Sequence, residues 1–112
     1  MSERSEQAVR VVLCYCSPQE SAGLGRQLVE EQLAACVNIV AGVTSIYEWK
    51  GEMCEEVEHT LVIKTTEARY EALKQRIKEL HSYEVPEILA FSCSDALSTY
   101  AQWVYEQVSD QV

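Results

Sequence analysis

The sequence of 112 residues predicts an α+β fold: a ferredoxin-like βαββαβ sandwich with a long β-hairpin and an extra C-terminal helix. Three observations carry it. Apolar runs rich in β-branched residues alternate with segments of helical period. The two middle strand runs are joined by a connection too short for a helix, so they must pair antiparallel. The strands are apolar on both sides, so both faces of the sheet need cover.

The elements follow in order. AVRVVLCYC, residues 8–16, is the first strand. In SPQE, Ser17 serves as N-cap, Pro18 as the first helical residue and Glu20 as the capping-box partner. Leu24, Leu28 and Leu33, with Val29, carry this helix to about Ala35. Gly23 and Gly25 each cost it roughly 1 kcal/mol against alanine, which fits a soft start or close packing. CVNIVAGVTSIYEW, residues 36–49, is one long strand with a kink at Gly42. KGEMCEE is a polar turn around Gly51, and VEHTLVIKT, residues 57–65, is the return strand. Thr66 caps a second helix with the stripe Tyr70, Leu73, Ile77 and Leu80. Pro86 stops it in HSYEVP. EILAFSC, residues 87–93, is the fourth strand, and Ser94 or Asp95 caps a last helix carrying Leu97, Tyr100, Ala101, Val104 and Val108. Residues 1–7 are expected to be a flexible N-terminus, with a single domain over 8–112. One terminal helix is too little to cover the second sheet face, and the long hairpin would leave a strand edge bare. Both points predict an oligomer built through the sheet.

Composition narrows the function. The net charge of −9, from 18 acidic and 9 basic residues, repels nucleic acid and anionic lipid. No apolar run approaches the roughly 20 residues that cross a bilayer, and the polar start is not a signal peptide, so a cytoplasmic location is expected. Five cysteines, at 14, 16, 36, 54 and 93, form no CxxC pair and predict no disulfide framework. Cys14 and Cys36 read as small buried hydrophobes. Cys16 ends its strand before a helix, at a sheet rim that ligands can reach. No phosphate loop, HExxH or nucleophile elbow occurs, so a non-enzymatic protein is expected.

The densest candidate site is LHSYEVPEI, residues 80–88. With the first and fourth strands antiparallel, Cys16 and the stretch from His81 to Glu87 share one rim. A thiolate and an imidazole there suit copper(I) or zinc. Against this stands a helix C-cap role for His81. His59 alternates with Leu61 and Ile63 and reads as a packed histidine. On the opposite face of that strand, Glu58 and Lys64 are a structural charge set or the lining of a polar cleft between subunits. Tyr47 and Trp49 near the hairpin tip read as packing or interface residues. Tyr100 and Trp103 are the docking face of the last helix.

Five stretches in order resemble the CutA divalent-cation-tolerance family. They are Leu33 to Asn38, Ser45 to Gly51, the E-x-x-L-x-I-K-T of Glu58 to Thr65, the signature at His81, Tyr83, Pro86 and Glu87, and Tyr100 with Trp103. Together they span residues 9–105. Ser82 stands where the family usually has proline, which predicts a less rigid turn. The resemblance implies an interlocked homotrimer with hairpins pairing across subunits. It implies tolerance to copper or other divalent cations, with His81, Cys36 and Cys16 as metal ligands. A second function is a signalling or scaffold trimer, related in architecture to nitrogen-regulatory trimers, in which metal is incidental. Its small ligand would sit in an intersubunit cleft lined by Glu58, Lys64, Tyr83, Glu87 and Trp49.

Overall fold

A computed structural model describes residues 7–109. The expected flexible segment over 1–7 falls, apart from Gln7, outside the described residues. Seven elements follow one another: β1 (Val9–Cys16), α1 (Pro18–Glu30), β2 (Cys36–Trp49), β3 (Glu52–Thr66), α2 (Glu67–Leu80), β4 (Glu87–Ser92) and α3 (Ser98–Val108). The strands form one sheet in the order β2-β3-β1-β4, and every neighbouring pair is antiparallel. This is the predicted ferredoxin-like order.

One face of the sheet is sealed. Leu24 and Leu28 of α1 and Leu73 and Ile77 of α2 pack on Val12, Cys14, Leu61 and Ile63. These sheet residues alternate along their strands, as period-two burial requires. The Ser17–Glu20 capping box closes as predicted, with Glu20 N–H donating to Ser17 Oγ at 3.3 Å and Ser17 N–H to Glu20 Oε2 at 3.2 Å. Gly25 is the glycine with a packing reason: a Cβ there would lie 3.1 Å from Val37 Cγ1, so α1 presses directly on β2.

The other face is half open. Val104 and Val108 of α3 cover only the end around Val9 and Ala35. Further along it Val40, Leu89 and Phe91 remain 47%, 47% and 50% exposed. The long hairpin stretches the molecule to 46 × 26 × 22 Å. Its radius of gyration is 14.8 Å, against about 13 Å for a compact globule of this length.

Three boundaries and the manner of one cap differ from the sequence reading, each for a local reason. α1 ends at Glu30 rather than near Ala35, because Gln32 takes a positive φ of 61° and the amides of Leu33 and Ala34 turn back to Leu28 O at 3.0 and 3.2 Å. The hairpin turn is only Lys50–Gly51, with φ of 53° and 84°, the type I′ geometry that matches strand twist. Glu52, Glu55 and Glu56 therefore lie on β3 and not in a loop. Thr66 occupies an N-cap position without a side-chain cap bond; Glu67 N–H donates instead to Ala8 O at 2.9 Å. α3 starts at Ser98 and is not capped by Ser94 or Asp95, since Leu97 holds the N-cap position. The kink at Gly42 is present: the β2–β3 register slips by one residue between Val40 and Val43, and Gly42 has φ of 76°.

Candidate functional site

The corner between α2 and β4 is built around His81. Its backbone N–H closes the helix on Ile77 O at 2.8 Å, and its side chain is fully buried. Nε2 lies 2.8 Å from Tyr15 O. A carbonyl can only accept, so this nitrogen carries the proton. Nδ1 then accepts the Tyr83 N–H at 3.1 Å. Beside the ring, the Glu20 carboxylate receives Ser82 Oγ–H at 2.7 Å and Ser82 N–H at 3.2 Å, while Oε1 lies 4.0 Å from His81 Nδ1. Partial burial works against the Glu20 charge, but the bonds from Ser82 and Ser17 outweigh it and hold the carboxyl below its ordinary pKa. Ser82 thus pins the turn through two donors that a proline would lack.

Next to the corner runs a groove of about 760 Å³, bounded by the far half of the hairpin, the 83–85 loop and the start of β4. Glu58, only 5% exposed, lies at its base. Glu58 Oε2 accepts the Tyr83 hydroxyl at 2.6 Å; Oε1 has no hydrogen-bond or ion-pair partner among the described residues. Burial and the bond to Glu58 both push the Tyr83 phenol up. On the hairpin wall Tyr47 donates to Glu56 Oε1 at 3.1 Å, and this bond is the main reason its pKa rises to about 12. At the tip the Lys50 ammonium stands 3.5 Å from Glu84 Oε1 and 5.6 Å from the centre of the Trp49 ring.

Four of the five residues expected in a cleft, Glu58, Tyr83, Glu87 and Trp49, line this one groove. Lys64 does not. It sits six residues from Glu58 along β3, roughly 20 Å away, where it bonds to Asn38. Shared strand parity put Glu58 and Lys64 on one face, but distance along the strand separates them. Tyr15, Glu56 and Glu84 are lining residues that the sequence reading did not single out. Tyr15 had a legible signal, since it faces Glu87 directly across the β1–β4 pair.

The expected metal ligands are placed differently. Cys16 is not at an accessible rim: it is fully buried under α1, and burial first, then Glu20 and Glu58, push its thiol up to about 11. Metal capture needs the thiolate, which this environment disfavours. His81 has both ring nitrogens engaged. Cys36 pairs with Lys64 whereas Cys16 pairs with His59, so the two thiols lie five residues apart along β3, roughly 17 Å, and on opposite faces. Among the described residues no three His, Cys, Asp or Glu side chains converge as a metal site. The donor set as folded does not fit a bound ion. His59 is a packed histidine, its Nδ1 lying 2.8 Å from Ser21 Oγ.

The chain is similar to known proteins along most of its length. The family model described as CutA1 divalent ion tolerance protein matches residues 10–107. The divalent-cation tolerance protein CutA of Thermus thermophilus is 45% identical over 96 residues, covering 86% of this chain and 93% of that protein. Human protein CutA is 41% identical over 92 residues, covering 80% of this chain but only 51% of the human protein. Among solved structures, the Thermus thermophilus protein superimposes with a TM-score of 0.86 at 44% identity, covering 90% of this chain and 99% of that one. A structure described as PII-like protein CutA from Nostoc sp. PCC 7120 gives 0.85 at 40% identity, covering 88% and 96%.

Proposed function

The chain belongs to the CutA1 divalent ion tolerance family, and on that premise we propose that it acts in divalent-cation tolerance as a cytoplasmic, non-enzymatic homotrimer whose clefts take up a small ligand. The observation that carries this is the groove, a cavity of about 760 Å³ into which Glu58, Tyr83, Glu87 and Trp49 converge. Pockets of that volume, with an apolar frame and a few fixed polar groups, suit small organic ligands. The half-open sheet face supports self-association, because Leu89, Phe91 and Val40 need a partner to leave water. The bare edges of β2 and β4 support it also.

Copper or another divalent cation at Cys16, His81 and Cys36 is the second reading, favoured by the family's name and by the soft donor chemistry of these residues. It requires the corner to open, because the ring of His81 and the thiol of Cys16 are otherwise occupied or buried.

Copper(I) and zinc(II) titrations of wild type, His81→Ala and Cys16→Ser separate the two. Unchanged stoichiometry in all three proteins is the expected result; loss of one equivalent in either variant would move the function to the metal. Light scattering should give the mass of three chains, and a monomer at micromolar concentration would remove the trimer.

A further inference from the structure

We draw no further inference here: the strongest candidate, the apolar slot between α1 and the edge strand β2 lined by Gly25, Val29, Val37 and Ile39, carries nothing because no feature of the structure shows what covers it, and a second copy laid along that edge would restate the trimer already proposed.

Discussion

The His81 corner and the adjoining groove share Tyr83, yet they satisfy their polar groups in opposite ways. In the corner every donor meets an acceptor: His81 Nε2–H finds Tyr15 O, Nδ1 receives the Tyr83 amide, and Ser82 places two donors on Glu20. In the groove the Glu58 carboxylate meets a single protein donor, the Tyr83 hydroxyl on Oε2. A fully satisfied polar cluster is architecture, because adding a ligand must first break something. A carboxylate with a single protein donor can exchange its remaining partners at lower cost. The residue types alone suggest the reverse assignment, since histidine and cysteine are the familiar metal ligands.

Breaking the corner should have the largest effect. His81→Ala strands the Tyr15 carbonyl and the Tyr83 amide and leaves a cavity, which should cost about 3 kcal/mol of stability in urea unfolding. A loss below about 1 kcal/mol would mean that the ring does not hold the turn. Acid should loosen the corner next. Folding lowers the Glu20 pKa below its ordinary value of 4.5, so its contribution is present above that pH and is lost as the folded carboxyl protonates below it. Unfolding followed from pH 6 to pH 3 should therefore show a steeper fall in wild type than in Glu20→Gln. Parallel curves would separate Glu20 from acid sensitivity. The groove should give the smallest change in stability and the sharpest contrast: Glu58→Gln keeps an acceptor for the Tyr83 hydroxyl and nearly the same volume. Its unfolding free energy should stay within about 1 kcal/mol of wild type or rise. A large destabilisation would place Glu58 with the architecture.

Much of the frame was legible in the sequence. The alternation of strand and helix periods yields the element order, SPQE announces its own cap, and Gly42 marks a break in the long strand. What escaped was mostly non-local or carried by an atypical residue. Lys50 adopts a left-handed conformation that its residue type does not advertise, so the turn reads as longer than it is. Glu58 looks like one more surface acid among several, and only the Tyr83 hydroxyl, 25 positions further along the chain, closes over it. Cys16 looks exposed because it ends a strand, but the first turns of α1 fold back across it.

The extra residue between Val40 and Val43 has a consequence for how such a protein can change. It acts as a phase inverter. Before it, even-numbered positions of β2 such as Asn38 and Val40 look toward the open face; after it, odd-numbered positions such as Val43, Tyr47 and Trp49 do so. The body and the arm of the hairpin therefore read the same strand in opposite phase. Deleting Gly42 would bring Ala41 opposite His59 and leave Val43, Tyr47 and Trp49 on the face they share with Glu58, removing only the bulge and the bend it gives the arm. One inserted residue thus sets the angle at which the arm leaves the scaffold without changing which side chains it presents.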